Sequence, residues 1–163
     1  MSRLRWVNPH LLMHAVRNAV AGVGSLALAQ ALHLPEPFWA CITTFVVLQP
    51  QLRLTVDSSW QQLAGTALGA AAGAWLAIHF GSSLLAFGAG VFGVGLICAV
   101  LKLDNSFRFA NITLAIVLLV AHGESPWGVA IHRFLEVSLG IAVALALTAV
   151  WPEPGLAPAA APR

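Results

Sequence analysis

The sequence predicts an all-α membrane protein in which six transmembrane helices form two inverted three-helix repeats. Three features predict this class: composition, six apolar runs with one-sided charge, and an internal repeat. Of the 163 residues, 59% are hydrophobic and 9% are charged, whereas soluble domains carry roughly 25% charged residues. The mean hydropathy of +0.84 indicates that the lipid bilayer is the chain's main partner. The eight Lys and Arg are scattered, so we expect no nucleic-acid binding.

Six apolar runs approach the length of about 20 residues that a membrane helix needs. In order they are Pro9–Leu32, Pro35–Gln49, Ser59–Phe80, Ser82–Leu101, Phe107–His122 and Pro126–Trp151. Asn8 and Ser125 each precede a proline, which is typical of a capped helix start. Ser58 and Gln61 fit a capping box ahead of the third run. These signals favour helices over strands.

Positive charge is confined to one side of the predicted bundle, which sets its orientation. The cationic residues on the side of the N-terminus are Arg3, Arg5, Arg53, Lys102, Arg108 and Arg163, and the other connections have none. We therefore expect both termini in the cytoplasm. The six tryptophans, Trp6, Trp39, Trp60, Trp75, Trp127 and Trp151, fall near span ends, where we expect them at the membrane interfaces.

An internal repeat relates the two halves of the chain. Residues 40–48 (ACITTFVVL) match 110–118 (ANITLAIVL) at an offset of 70, and Leu68–Gly69 match Leu139–Gly140 at an offset of 71. Because each copy holds three spans, the second copy enters the membrane from the opposite side, as in many secondary transporters. The predicted module covers residues 1–152, with repeats 9–80 and 82–151. Residues 153–163 form a Pro/Ala-rich tail predicted to be disordered.

Small residues predict close helix packing in the third and sixth spans. Gly65, Gly69 and Gly73 recur every fourth residue, and Gly140 lies in the sixth span. Without a Cβ, each allows another backbone to approach.

Ionisable residues within the spans are the main functional candidates, because each is costly in lipid unless it is paired or wetted. Arg133 and Glu136 lie about 10 and 15 Å into the sixth span. Glu136 is spaced to pair with either His132 or Arg133. We interpret Arg133 as an anion contact and Glu136, with His132, as a proton carrier; a purely structural ion pair is the alternative. Arg17, in the first span, is either a second anion contact or an arginine that snorkels to the interface.

Two threonines in the repeated short spans, Thr43 and Thr113, could hydrogen-bond a ligand, although bonding between helices is the commoner use of such side chains. No catalytic or nucleotide-binding motif occurs, so an enzyme is not expected. We also expect no cofactor or metal, since His10 and His14 lack a further ligand at suitable spacing.

Several segments resemble one family of membrane transporters. They are LPEPFWA at 34–40, Ile42–Thr43, VLQP at 47–50, LAGT at 63–66, Leu68–Gly69, Gly73, RFLE at 133–136, Gly140 and Trp151–Pro152. Together they are similar to the integral-membrane module of the fusaric acid resistance family, which is allied to the aromatic acid exporters. Gln62 stands where that family often has an arginine, and we include it among the predicted substrate-binding residues.

The resemblance implies an inner-membrane efflux protein for aromatic carboxylic acids or related organic anions, driven by the proton gradient. Larger relatives carry a second module, so we expect this chain to act as a homo-oligomer. The alternatives are a non-transporting membrane scaffold and one half of an oligomeric transporter.

Overall fold

The computed structural model describes residues 9–103, 105–120 and 125–151, and every regular element within these ranges is helical. The helices are α1 (Pro9–Ala31), α2 (Phe38–Val47), α3 (Leu52–Phe80), α4 (Leu84–Val100), α5 (Phe107–Ala115, continued by a π-helical turn at Ile116–Val120) and α6 (Pro126–Val150). The predicted all-helical class is confirmed. The predicted cap at Asn8, the end of the fifth span at His122 and the tail at 153–163 lie outside the described residues.

The surface of the bundle has the polarity expected in a bilayer. By length and composition, α1 from Leu11 onward, α3 and α6 can each cross a membrane. Large apolar side chains such as Leu84 and Leu85 are exposed, whereas Thr44 and Thr148 are fully buried. In lipid an exposed leucine carries no penalty, while a polar group needs a partner inside the protein.

Helix α3 begins at Leu52, well before the predicted start at Ser59. Its N-cap residue is Gln51, whose side chain makes no capping bond, so the predicted start and the capping box at Ser58 are wrong. Residues 52–58 are too polar to read as membrane span, yet they contain neither Gly nor Pro to stop a helix. The hydropathy pattern therefore located the first residues of the apolar segment, whereas the helix itself begins earlier.

The predicted start of α6 is correct. The Ser125 hydroxyl accepts a hydrogen bond from the backbone N–H of Gly128 at 3.0 Å, and Pro126 is the first helical residue. Proline is well suited to this position because its missing N–H would have no helical partner there.

Helix α2 and helix α5 with its π-helical turn are shorter than the roughly 20 residues that a membrane-crossing helix needs. The 10 residues of α2 extend about 15 Å, half of a hydrocarbon core of about 30 Å. The loop just before α2 contacts Glu136, ten residues into α6. Similarly, Ser106, just before α5, lies against Gly65 in the middle of α3. Each short helix thus begins beside the middle of a long one.

The helices pack crosswise between the two halves of the chain. Helices α3 and α6 lie against each other, α5 packs on α3, and α2 packs on α6. Helix α1 covers α2 and α6, while α4 covers α5 and α3. The short helix of each half therefore depends on the long helix of the other half for its position.

Glycine is required at these crossings because backbones meet there. A Cβ at Gly69 would overlap the carbonyl oxygen of Ala110, and a Cβ at Gly140 would overlap that of Ala40. At Gly65 a Cβ would lie 2.9 Å from the Cβ of Phe109. Gly73 is less restricted, since its nearest neighbour would be 3.0 Å away. The Gly140 carbonyl also accepts a hydrogen bond from Thr44 Oγ1 at 3.0 Å.

We predict that Gly69→Ala and Gly140→Ala each lower the free energy of unfolding by about 1–3 kcal/mol, because the added methyl group must push a backbone carbonyl aside. Thermal unfolding of the purified protein in nanodiscs measures this. The matched control is Gly88→Ala, where a Cβ meets nothing within 4 Å. A melting temperature for Gly140→Ala equal to that of the control would contradict the prediction.

Candidate functional site

A small cavity lies where the two short helices face the two central long ones. Its volume is about 90 Å³. Four helices line it with Trp39, Ile42, Thr43 and Val46 from α2, Gln62 and Thr66 from α3, Phe109, Ile112, Thr113 and Ile116 from α5, and Arg133 and Val137 from α6. We call it the central cavity. Arg133 is the one Arg, Lys, His, Asp or Glu in this lining, so an otherwise apolar and neutral space has a single cationic contact.

The lining residues correspond in pairs between the two halves of the chain. Each α2 residue of the lining has a counterpart 70 positions later in α5, and each α3 residue has one 71 positions later in α6. Thr43 thus faces the same cavity as Thr113, and Gln62 the same cavity as Arg133. These are the offsets at which the sequence repeats. Side-chain chemistry differs most in one pair, because Gln62 has a neutral amide and its counterpart Arg133 has a guanidinium.

Gln62 and Thr43 form a polar contact on one wall of the central cavity. Gln62 Nε2 donates a hydrogen bond to Thr43 Oγ1 at 3.2 Å. Gln62 Oε1 is buried without a hydrogen-bond partner. A buried polar oxygen without a partner is costly, and sites of this kind commonly receive a water molecule or a ligand. Gln62 can therefore accept one further hydrogen bond.

Arg133 also lines the central cavity and is 3% exposed. Its Nη1 donates to Glu136 Oε2 at 3.1 Å, and its Nη2 lies 3.8 Å from Glu36 Oε2. The guanidinium carbon lies 3.6 Å from the centroid of a Trp39 ring, within cation–π range. Among the residues that the structure describes, Nε and Nη2 have no hydrogen-bond partner. Arg133 is thus held by an ion pair and an aromatic face while two of its nitrogens remain able to donate.

Glu136 is tied to the loop that precedes α2. Its Oε1 accepts a hydrogen bond from the backbone N–H of Glu36 at 2.9 Å. Glu36 lies between Pro35 and Pro37, and prolines have no N–H. In this tripeptide, only Glu36 can make that backbone bond.

The residues Glu36, Arg133 and Glu136 form a charge cluster beside the central cavity. With all three ionised, it holds two negative charges and one positive charge. The side chain of Glu136 is 1% exposed, whereas that of Glu36 is 43% exposed. Burying an extra negative charge is unfavourable, so the cluster favours either binding a proton or keeping one carboxylate in contact with water.

Of the substrate-binding residues predicted from the sequence, Thr43, Thr113, Gln62 and Arg133 lie together in the central cavity. Arg17 lies elsewhere. It is fully buried and donates through Nη2 to the carbonyl oxygen of Gln49 at 2.7 Å and to Thr148 Oγ1 at 2.8 Å. Its guanidinium therefore joins α1 to the α2–α3 connection and to α6, so it neither lines the cavity nor reaches the surface.

His132 is half-buried, and its Nδ1 has no hydrogen-bond partner. Of the two pairings that the spacing allows for Glu136, the structure contains the one with Arg133. The two residues are three apart and share one face of α6.

Sequence reasoning missed Glu36 and Trp39 as parts of the site. Trp39 was expected at a membrane interface, but it lines the central cavity and packs on Arg133. The available signal was the Pro-Glu-Pro-Phe-Trp segment, in which a charged and an aromatic residue stand between helix-restricting prolines. Whether Trp39 contacts Arg133, however, depends on how α2 and α6 cross, and the segment itself does not reveal this crossing.

The apolar exterior and the three helices long enough to cross a bilayer define a helical membrane protein. The sequence pattern of the fusaric acid resistance protein-like family matches residues 23–147, and the chain belongs to this family. The resemblance inferred from the residues is thereby confirmed.

Curated relatives are similar over part of their length. The uncharacterized transporter YdhK of Escherichia coli K12 is 30% identical over 138 residues, which cover 78% of this chain and 21% of that protein. YdhK of Escherichia coli O157:H7 matches equally. The uncharacterized protein slr1298 of Synechocystis is 36% identical over 63 residues, or 39% of this chain and 8% of that protein. This chain thus spans about a fifth of each YdhK protein. No solved structure matches it.

We predict that Arg133→Met destabilises the protein by about 3–5 kcal/mol, because it leaves the Glu136 carboxylate buried without its cationic partner. The double variant Arg133→Met with Glu136→Gln removes that charge and should recover most of the loss. These two variants and Glu136→Gln alone form a double-mutant cycle, which is measured by thermal unfolding in nanodiscs. A double variant less stable than Arg133→Met would rule out this account of the pair.

Proposed function

We propose that this chain is a transport module that exports small organic anions, with aromatic carboxylic acids as its main substrates, across the inner membrane. The observation that carries the proposal is the central cavity, whose one charged lining residue is Arg133. Membership of the family and a relative named as a transporter support the transport role. Under this proposal both termini lie in the cytoplasm, which the one-sided positive charge supports.

The substrate class follows from the chemistry of the cavity walls. Arg133 has two nitrogens without a hydrogen bond, and a carboxylate can accept from both. Trp39 and Phe109 supply aromatic surface, and three isoleucines and two valines complete the apolar lining. A carboxylate attached to a planar ring can contact Arg133 through its charge and the aromatic and aliphatic lining through its ring. Thr43, Thr113 and Gln62 supply neutral hydrogen-bonding groups at the same place.

An inverted repeat is part of the proposal. The crosswise packing, the paired cavity residues and the equivalent contacts of Gly69 with Ala110 and Gly140 with Ala40 all support it. In transporters of this kind, the substrate lies at the interface of the repeats near the middle of the membrane, and the halves rock around it. Under this proposal the central cavity holds that position. We further propose that two copies of the chain associate to complete the pathway.

Proton coupling is assigned to Glu136. In this proposal the anion on Arg133 and the proton on Glu136 occupy the protein in alternation, so that a proton moves inward for each anion exported. The buried carboxylate contacts Arg133 and the backbone of Glu36, so protonation would loosen both the cavity wall and the loop. His132, next to Arg133, is proposed as a proton relay. A static ion pair in a non-transporting scaffold is the second candidate function, and the same Arg133–Glu136 bond favours it.

We predict gradient-dependent uptake of labelled benzoate into inverted vesicles that carry the purified protein, with an acidic interior. Arg133→Ala should lower uptake roughly 10- to 100-fold, the effect of losing hydrogen bonds to a charged group. Arg53→Ala, which removes an exposed arginine, is the matched control and should retain uptake. Equal uptake by Arg133→Ala and the control would refute the assignment of Arg133.

We predict that Glu136→Gln abolishes the part of uptake that depends on the proton gradient and preserves benzoate exchange. This variant should fold, because Arg133 keeps its contacts with Glu36 and Trp39. Paired flux measurements with and without the gradient make the test. Loss of assembly, or no change at all, would instead favour the scaffold.

A further inference from the structure

The loop before α2 carries a carboxylate deep into the bundle. Glu36 binds Glu136 through its backbone N–H, and Glu136 lies ten residues after the start of α6, or about 15 Å along it. That is near the middle of a membrane-spanning helix. The side chain of Glu36 is nevertheless 43% exposed. The Glu36 side chain is thus partly accessible although its backbone lies beside the buried Glu136.

The two carboxylates of the charge cluster hold Arg133 differently. Glu136 is buried and hydrogen-bonded to Nη1 at 3.1 Å. Glu36 lies 3.8 Å from Nη2, and Nη2 makes no hydrogen bond. A long, half-exposed ion pair contributes little free energy. Glu136 is therefore the permanent partner of Arg133, while Glu36 can be replaced at small cost.

Release of the Glu36 side chain does not require the loop to detach. The loop is held by the backbone N–H of Glu36, which donates to Glu136 Oε1 whatever the side chain does. The flanking Pro35 and Pro37 restrict the backbone on both sides. The carboxylate can thus move away from Arg133 while the backbone keeps its place.

We propose that the Glu36 carboxylate is a tethered anion that competes with the substrate for Arg133 Nη2. In the empty protein it neutralises the guanidinium through the contact with Nη2. An anion in the central cavity that takes Nη2 displaces the Glu36 carboxylate. This inference rests on the proposed function, because it takes Arg133 as the substrate's anion contact. It adds that Glu36 lowers the affinity for anions and leaves the affinity for neutral analogues unchanged.

The test measures binding of benzoate and of neutral benzamide to the full chain in nanodiscs by titration calorimetry. Glu36→Gln should tighten benzoate binding about fivefold, the effect of removing one partly exposed ion pair, and leave benzamide binding unchanged. Glu36→Ala should act in the same way, since it also keeps the backbone N–H. The matched control is Asp57→Asn, which removes an exposed carboxylate from α3 and should not alter benzoate affinity.

The outcomes separate this inference from the proposed function. Tighter benzoate binding in both Glu36 variants but not in Asp57→Asn supports the tethered anion. Unchanged or weaker benzoate binding in both Glu36 variants, with binding still lost in Arg133→Ala, overturns the tethered anion and leaves the anion site standing. Absence of benzoate binding and transport in the unaltered protein overturns both.

Discussion

The rest of the structure depends on direct backbone contact between each short helix and the middle of a long one. Gly69 and Gly140 allow this contact, because a Cβ at either position would occupy the place of a carbonyl oxygen. In lipid, helices gain no hydrophobic energy from associating, so such close packing supplies much of the attraction. Helix α2 packs closely on α6, and α5 packs closely on α3. Because of this packing, side chains of these four helices enclose the central cavity instead of facing lipid.

The charge cluster follows from the same packing. Once α2 lies against α6, the Pro-Glu-Pro loop has to end beside Glu136 and Arg133, and its single N–H becomes the partner of the Glu136 carboxylate. Two carboxylates then share one guanidinium in a place with little water. Trp39 lowers the cost of burying Arg133 by offering its aromatic face. Under the proposed function, the surplus negative charge favours binding of a proton, and Arg133 supplies the contact for an anion.

Prediction from the sequence succeeded where a local signal decides the structure. The start of α6 was predicted from Ser125 and Pro126, since capping involves only neighbouring residues. It failed at the start of α3, where a polar but helix-compatible stretch extends the helix beyond the apolar segment. At the site, Arg133 and Glu136 could be paired in advance because three residues separate them on one helix. Glu36, about one hundred residues earlier, gave no such signal.

The sequence by itself determined the helical membrane class, the family, and the residues whose burial in lipid would be costly, because composition and helical spacing act locally. Only the tertiary structure decided which of those residues meet. It brought Thr43, Gln62, Thr113 and Arg133 to one cavity and placed Arg17 in a separate buried contact. The physical reason is that a side chain's partners across a bundle depend on the depth and angle at which helices cross. This depth and this angle are determined by contacts between backbone segments that are far apart in the sequence.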